Sequence, residues 1–368
     1  MHFDIDRFRK SQIRSQREII SAWKEPTPIV SIICTTYNQE HYIEDAIRGF
    51  LHQDTDFAFE IIIHDDASTD KTKEIINKYK SNYPEIIKTI FQKENQYSRA
   101  PNSPLSISFS QSKGKYIAIC EGDDFWIDSQ KLQTQKKLLE ENQEYSIIVH
   151  NGYKLYPDGL SLAFNKIKRP STFTTLDVIK KHSQFAPTAS YFFRRQIITH
   201  LPDWFDSAPI GDLFIEIYST KFGVGLFLPG KLCIYRVNAI NSWSARISAS
   251  SQLKSTTLQQ MIDSLQKTAN DFPKIKATIN SRILEIQRLK AIDTFIKPSN
   301  CNLHNHPSEE YKNLRNELKK LIPISAISFQ IAFPPSFHLF IALNSARVHA
   351  RSTLVYIYKY FKTLKLIK

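Results

Sequence analysis

A regular alternation of short apolar runs and helical patterns, beginning at Pro28, constrains the fold of this chain more than any other feature. The first run, IVSIIC, is continuously apolar, which is typical of a strand buried on both faces of a parallel sheet. The alternation continues through helical EHYIEDAIRGFLHQ, strand-like EIIIH, helical KTKEIINKYK, and strand-like EIIKTIF and KYIAIC. This order predicts an α/β fold in which helices flank a mainly parallel central sheet.

Polar clusters follow three of the predicted strands. TTYN comes after the first strand, HDDASTD after the second and EGDD after the fourth. Because ligands of such sheets bind beyond the carboxyl ends of the strands, we expect the three clusters to meet at one edge of the sheet. This edge is the predicted functional site.

The last cluster places three carboxylates, Glu121, Asp123 and Asp124, around Gly122. Taken alone, this sequence also fits a solvated turn, since Gly and Asp are ordinary turn residues. Carboxylate oxygens are the ligands that Mg²⁺ or Mn²⁺ prefers, and such a metal commonly shares a bound diphosphate. The common edge favours the second interpretation, in which the cluster holds a divalent metal cofactor.

The first two clusters offer groups for a nucleoside. Asp65 or Asp66 can accept a hydrogen bond from a nucleobase or a ribose hydroxyl, and Tyr37 offers a ring for base stacking. The aspartates also suit the turn and cap before a helix, and a half-buried tyrosine also suits a core. The turn TTYNQE has no Gly, so it fits neither the G-x-G-x-x-G loop of dinucleotide oxidoreductases nor the Gly-rich loop of sugar nucleotidyltransferases.

Four blocks of the sequence resemble successive motifs of family 2 glycosyltransferases. They are PIVSIICTTYNQEHYIEDAI, EIIIHDDASTDKT, SKGKYIAICEGDDFW with KLQTQKKLLE after it, and GDLFIEIYSTKFGVGLFLPGKLCIYRV. The resemblance covers residues 28–244 and implies a GT-A fold with a Rossmann-like nucleotide-binding half, followed here by a helical C-terminal extension. It further implies transfer of a sugar, with inversion, from a nucleotide-diphosphate donor, with a UDP-sugar favoured, to a glycan or lipid-linked acceptor in surface polysaccharide synthesis.

The resemblance also implies roles for single residues. The residues that would hold the base and ribose are Thr35, Tyr37 and Asp66. The acidic metal motif corresponds to Glu121 and Asp123, with Gly122 between them. The family motif usually begins with Asp, and Glu121 is longer by one methylene. Asp123 is therefore the expected first metal ligand, with Asp124 or Glu121 assisting.

Inversion by a single displacement requires one carboxylate that takes the proton of the acceptor hydroxyl. The family position of this base corresponds to Asp212 in PIGDLFIEI, with Asp206 and Glu216 as the next candidates. Without the resemblance, Asp212 would be interpreted as the N-cap of the apolar helix that follows it.

Two candidate cations and one departure from the family pattern complete the predicted site. Arg236 and Arg99 could face the diphosphate, although each also fits a surface ion pair. Many relatives carry His near the metal, shortly after the YR pair, where this chain has Asn238; an amide coordinates weakly and does not titrate. Glu121 and Asn238 keep open an alternative function, that of a weak or inactive GT-A protein that acts in glycan binding or assembly.

Basic residues concentrate in the C-terminal third of the chain. The net charge is +13, and residues 245–368 hold 19 Lys and Arg against 7 Asp and Glu, so the remainder is nearly neutral. No nucleic-acid-reading module accompanies this charge, and we expect no nucleic-acid partner. The predicted parts are an N-terminal helical segment (1–27), the GT-A glycosyltransferase domain (28–244) and a basic, mostly helical extension (245–368).

The extension mixes Leu, Phe, Tyr and Ile with Lys and Arg. This composition suits contact with the anionic inner face of a membrane and equally suits a helical packing domain with a solvated basic face. No apolar run in the chain reaches the roughly 20 residues that span a bilayer, and the four cysteines fit buried thiols in a reducing compartment. We therefore predict a cytoplasmic protein, with peripheral contact at the inner face of the cytoplasmic membrane as an open alternative.

Overall fold

The structure, a computed structural model, describes residues 3–156, 159–181, 185–240, 242, 245–247 and 250–296. Contacts divide the chain into two units, Met1–Ile283 and Leu284–Lys368. In the second unit, the described residues 284–296 belong to one helix. The predicted membrane-contacting tail falls largely on residues 297–368, outside the described residues, and the predicted domain boundary at residue 244 stays a prediction. Among the described helices, none combines the length and apolar character needed to cross a bilayer.

The helices and strands alternate through the first half of the chain as the sequence predicts. The helices are α1 (Ile5–Lys10), α2 (Gln16–Ser21), α3 (Ile43–Leu51), α4 (Thr72–Asn82), α5 (Ser103–Ser110), α6 (Lys131–Glu141), α7 (Thr175–Lys180), α8 (Gly211–Ser219), α9 (Ser251–Asp271) and α10 (Lys276–Ile296). The strands are β1 (Val30–Thr36), β2 (Phe59–Asp65), β3 (Ile87–Phe91), β4 (Tyr116–Ile119), β5 (Phe125–Trp126), β6 (Tyr145–Tyr156), β7 (Gly159–Ala163), β8 (Ser171–Phe173), β9 (Phe192–Arg194) and β10 (Val224–Arg236).

The strands form one sheet in the order β3-β2-β1-β4-β9-β6-β10-β5, with β7 paired to β6 and β8 to β10. β1 runs parallel to β2 and β4, and β2 runs parallel to β3. β9 lies antiparallel between β4 and β6, whereas β6 and β10 are parallel. The sheet is therefore mixed, and the predicted α/β class with flanking helices is confirmed.

The core lies between this sheet and its helices. All seven residues of β2 are buried, as the continuous apolar run predicts for a strand covered on both faces. In α3 the predicted stripe of Ile43, Ile47, Phe50 and Leu51 has no exposed surface. Burial of each such side chain contributes about 1.5 to 3 kcal/mol before entropy is subtracted. Three of the four cysteines are buried free thiols, and the fourth lies outside the described residues.

The short strand β5 is held by several parts of the fold. Trp126 is 1% exposed, and its indole N–H donates to the carbonyl of Ala189 at 2.7 Å. The ammonium group of Lys131, also buried, lies 3.9 Å from the centre of the Trp126 ring. A Cβ atom on Gly49 of α3 would come within 2.7 Å of the Trp126 carbonyl oxygen, so only glycine permits this approach. The residues just before β5 are thereby anchored to the sheet and to α3.

The carboxyl ends of β1, β2 and β4 lie side by side, because β1 pairs with both neighbours in parallel. The backbone N–H of Asp66 donates to the Thr36 carbonyl at 3.0 Å, and the N–H of Gly122 donates to the Thr35 carbonyl at 3.0 Å. The structure therefore brings the three polar clusters of the sequence to one edge of the sheet.

Candidate functional site

The acidic turn, residues 121–124, connects β4 to β5 and packs against the loop after β1. A Cβ atom on Gly122 would lie 2.8 Å from the Thr36 hydroxyl and closer still to the side-chain oxygen of Gln39. The Thr36 hydroxyl in turn donates to that Gln39 oxygen at 2.8 Å. Glycine is therefore required here by the close approach of two loops, which places the carboxylates beside the predicted nucleoside loop.

The three carboxylates of the turn have different surroundings. Asp124 is 1% exposed, and its Oδ1 accepts the backbone N–H of Arg236 at 2.8 Å. Its Oδ2 is buried and has no hydrogen-bond partner among the described residues. Glu121 and Asp123 each retain some solvent-accessible surface. Of the three, Asp123 and Glu121 are thus the ones that a ligand can reach.

The surroundings of the acidic turn disfavour the ionised form of its three carboxyl groups. Burial, together with the charges of Asp123 and Asp212, raises the pKa of Glu121 to about 8. Burial also raises the pKa of Asp123, against the opposing charge of Arg236, and raises that of Asp124 well above its ordinary value. Carboxyl groups in this state are stabilised in their ionised form by a nearby cation.

A divalent cation fits this chemistry with few protein ligands. No three His, Cys, Asp or Glu side chains in the described part of the chain form a ready metal cluster. Mg²⁺ and similar ions commonly bind through one or two carboxylates and complete their shell with water and substrate phosphates. Asp123 and Glu121 could supply such ligands. Asp124, in contrast, accepts the backbone N–H of Arg236 through Oδ1. Asn238 is exposed to solvent two residues after the end of β10. Asn238 adopts a left-handed conformation, φ 58°, which Asn tolerates well.

Asp212 lies in the first turn of α8 and is not its N-cap. The N-cap position is Ile210, which cannot cap with its side chain. Asp212 Oδ1 accepts the backbone N–H of Leu213 at 2.6 Å, and Oδ2 accepts the hydroxyl of Thr188 at 3.3 Å. Burial raises the pKa of Asp212 to about 6 despite these two donors. Asp212 is therefore a stronger base than an ordinary aspartate.

Thr188 joins Asp212 to the acidic turn and was not found from the sequence. Its side chain is hydrogen-bonded to Glu121 as well as to Asp212, and only 4% of the residue is exposed. It lies in the short 3₁₀ turn Thr188–Ser190 that precedes β9. No local sequence pattern distinguishes this threonine, because its partners come from segments distant in the chain.

Tyr235 was missed although its neighbour in the YR pair was considered. Burial raises the pKa of its phenol well above the ordinary value, and Asp124, Glu121, Asp123 and Asp212 raise it further. Its ring packs edge-on against Phe164 at 5.4 Å. Tyr235 therefore lies within electrostatic range of the acidic turn and of Asp212.

The two other base candidates have structural partners. Asp206 accepts the hydroxyl of Ser106 beside the turn Phe205–Ser207. Glu216 has no exposed surface, and its Oε1 accepts the Tyr191 hydroxyl at 2.6 Å. Burial raises the pKa of Glu216 to about 8. Asp212 differs from both in sharing a hydrogen-bonding partner, Thr188, with Glu121 of the acidic turn.

The predicted nucleoside residues lie at the same edge. Asp66 is 3% exposed, and its two oxygens accept the backbone N–H groups of Gln96 at 2.7 Å and Tyr97 at 2.9 Å. Asp65 accepts both the hydroxyl and the N–H of Ser68, and burial raises its pKa. Both aspartates therefore order the surrounding loops, and each keeps lone pairs for further donors. The half-buried residues beside them are Thr35 and Tyr37.

The two candidate cations differ in burial. Arg99 forms an ion pair with Glu94 in which both side chains are 66% exposed, which matches the surface interpretation. Arg236 is 6% exposed, and its guanidinium contacts the Asp123 carbonyl at 2.5 Å and the carboxylate of Asp45. That either arginine binds a diphosphate stays a prediction.

Comparison with known proteins shows which families and structures this chain is similar to. Residues 31–201 match the family model described as Glycosyl transferase family 2. An uncharacterized protein of Mycobacterium tuberculosis is 34% identical over 225 residues, which span 58% of this chain and 60% of that protein. This chain thus matches only about three fifths of the length of that relative.

Two solved structures share the fold. Staphylococcus aureus TarS 1–349 in complex with UDP-GlcNAc superposes with a TM-score of 0.55 at 17% identity, over 80% of this chain and 81% of that one. The mannosyltransferase PcManGT from Pyrobaculum calidifontis in complex with GDP-Man and Mn²⁺ gives a TM-score of 0.52 at 14% identity, over 94% and 93%. The chain therefore has the GT-A fold of these proteins, and its residues 31–201 match the model of glycosyltransferase family 2.

Proposed function

We propose that this protein is an inverting glycosyltransferase that moves a sugar from a UDP-sugar to a glycan or lipid-linked acceptor, with Mn²⁺ or Mg²⁺ as cofactor. The observation that carries the proposal is the position of Asp212, which one threonine hydroxyl connects to the acidic turn. The related protein TarS supports the donor and acceptor classes, because it is named a poly(ribitol-phosphate) beta-N-acetylglucosaminyltransferase and binds UDP-GlcNAc.

On the donor side, the acidic turn would receive the diphosphate end of the nucleotide. When bound, the metal supplies positive charge that neutralises the leaving diphosphate. Asp123 would hold the metal, with Glu121 assisting. The nucleoside would lie on the adjoining loops, where Tyr37 can stack on the base and Asp66 can accept from the base or ribose.

On the acceptor side, Asp212 would act as the general base. As the acceptor oxygen bonds to the anomeric carbon, the bond from that carbon to the diphosphate breaks, and the hydroxyl proton passes to Asp212. A base with a pKa of about 6 is largely ionised at neutral pH and yet holds a proton better than an ordinary aspartate. Burial of the carboxylate thus suits it to this role.

Two substitutions separate metal binding from proton transfer. Asp123→Asn should weaken Mn²⁺-dependent UDP binding and abolish transfer. Asp212→Asn should retain that binding and lower the transfer rate by about 10² to 10⁴, the usual contribution of a general base. Asp203→Asn is the matched control, since Asp203 is an exposed aspartate that lies before α8 in the chain.

Calorimetry with a panel of nucleotide sugars, with and without Mn²⁺, and a transfer assay with the bound donor measure these effects. Full turnover by Asp212→Asn would remove this residue as the base. If the wild-type protein bound none of the nucleotides in a metal-dependent manner, the alternative of a non-catalytic GT-A protein in glycan binding or assembly would replace the proposal.

A further inference from the structure

A buried carboxylate, Asp45 of α3, is shared by two arginines that come from outside the part of the chain matched by the family model. Arg9 of α1 donates from Nη2 to Asp45 Oδ2 at 2.7 Å and from Nε to Oδ1 at 3.0 Å. Arg236, at the end of β10, donates from Nη2 to the same Oδ2. Only 5% of the Asp45 side chain is exposed, so the two arginines take the place of water as its ionic partners.

Arg236 carries this interaction to the acidic turn. Its Nη1 donates to the carbonyl oxygen of Asp123 at 2.5 Å, and its backbone N–H donates to Asp124 Oδ1 at 2.8 Å. The guanidinium also lies between two rings, 5.0 Å from the centre of Tyr42 and 4.7 Å from that of Phe125. Asp45 binds Nη2 of the Arg236 guanidinium, and this contact fixes the position of Nη1, which binds the acidic turn.

Helix α1 contacts the same region a second time. Phe8 stacks on Phe125 with ring centres 5.1 Å apart, and Phe3 lies 6.3 Å from the same ring. Phe125 directly follows Asp124 in the chain. Helix α1 therefore supports the acidic turn by ionic contacts at Asp45 and by aromatic packing at Phe125.

We propose that Arg9, Asp45 and Arg236 are positioning residues, through which α1 sets the geometry of the acidic turn and hence its affinity for a metal-bound nucleotide diphosphate. The part that concerns the ligand rests on the proposed function. Removal of a group that orients a metal ligand, without binding the metal itself, commonly changes metal affinity by about 10- to 100-fold. The three residues would act in this way, and Arg9 and Asp45 would do so without contact to the substrate.

Hydrogen exchange measures the positioning directly and needs no ligand. Arg9→Gln and Asp45→Asn should each speed amide exchange in peptides that cover residues 120–126, because the turn loses a fixed partner. Peptides from β2 and β3 should exchange as in the wild type. Arg7→Gln, which removes the same charge from an exposed position on the same helix, should change neither. Unchanged exchange at 120–126 in both variants would refute the inference.

Titration of Mn²⁺ in the presence of UDP then measures the functional consequence. Arg9→Gln should raise the apparent Kd for Mn²⁺ by about tenfold, and Arg9→Lys should restore part of the affinity because it keeps the charge but loses the bidentate fork. Wild-type affinity in Arg9→Gln would refute the proposed effect on the ligand. Faster exchange in the variants, combined with no Mn²⁺-dependent UDP binding by the wild type, would retain the positioning role and refute the proposed function instead.

Discussion

Replacing Glu216 by Gln should change how the stability of this protein depends on pH. Glu216 has no exposed surface, and burial raises its pKa from 4.5 to about 8. The groups that face it are the Tyr191 hydroxyl, which donates to it, the charges of Asp212 and Lys181, and the backbone N–H of Ala186. Burial outweighs the donors and Lys181, so the folded protein holds a proton on Glu216 to higher pH than the unfolded chain does.

The sign and size of the effect follow from this difference. A carboxyl group with a raised pKa contributes its full stability below the unfolded value and loses it as pH rises toward the folded value. For the shift at Glu216, the free energy of unfolding should fall by about 3 kcal/mol between about pH 5.5 and about pH 8.5. Gln cannot ionise, yet its amide oxygen can still accept the Tyr191 hydroxyl, so the variant should lack this loss.

Urea unfolding of the metal-free protein at both pH values measures the effect. The stability of Glu216→Gln relative to the wild type should be greater at the higher pH by about 3 kcal/mol, and other titrating groups largely cancel in this difference. The exposed glutamate Glu74 provides a control, since Glu74→Gln should show a difference near zero. If Glu216→Gln changed stability equally at both pH values, burial would not control the ionisation of Glu216, and the reasoning would be wrong.

Two further substitutions probe the site. Thr188→Val removes the hydroxyl that donates to Asp212, so the pKa of Asp212 should rise above about 6. The acid limb of the pH profile of kcat/KM should therefore move to higher pH, whereas the control Thr188→Ser, which keeps a hydroxyl, should leave it in place. An acid limb that did not move in Thr188→Val would contradict this prediction. Gly122→Ala forces a methyl group against Gln39 and Thr36. Calorimetry should show loss of Mn²⁺-dependent UDP binding, and urea unfolding should show a free energy of unfolding lower by about 1 to 3 kcal/mol. If the variant bound UDP as tightly as the wild type, the described packing around Gly122 would be wrong.

The edge of the sheet could be predicted from the sequence because it follows from local patterns and one rule of topology. Continuous apolar runs define β1, β2 and β4, and parallel pairing brings the polar residues after them to the same side. The mixed second half was not predicted, because β9 enters antiparallel between β4 and β6 and no local alternation indicates this. The family resemblance led to Asp212, which the local pattern alone would have treated as a helix cap.

The contacts that organise the site could not be predicted, because they join residues far apart in the chain. Asp66 accepts amides from a loop some 30 residues later, and Arg9 reaches Asp45 from a separate helix. Hydrogen bonds of this kind leave no periodicity in either segment. They depend on the way whole elements pack, which only the folded structure shows.

The environment of Trp126 makes its intrinsic fluorescence a probe of the candidate site. An indole that is 1% exposed, hydrogen-bonded to Ala189 and covered by Lys131 is shielded from water, so its fluorescence should be blue-shifted. Trp126 follows Asp124 by two residues, and Ala189 is the neighbour of Thr188. A change in fluorescence emission when a ligand is titrated, absent after Trp126→Phe, would therefore report movement of the acidic turn relative to Thr188, the partner of Asp212. The measurement needs no added label.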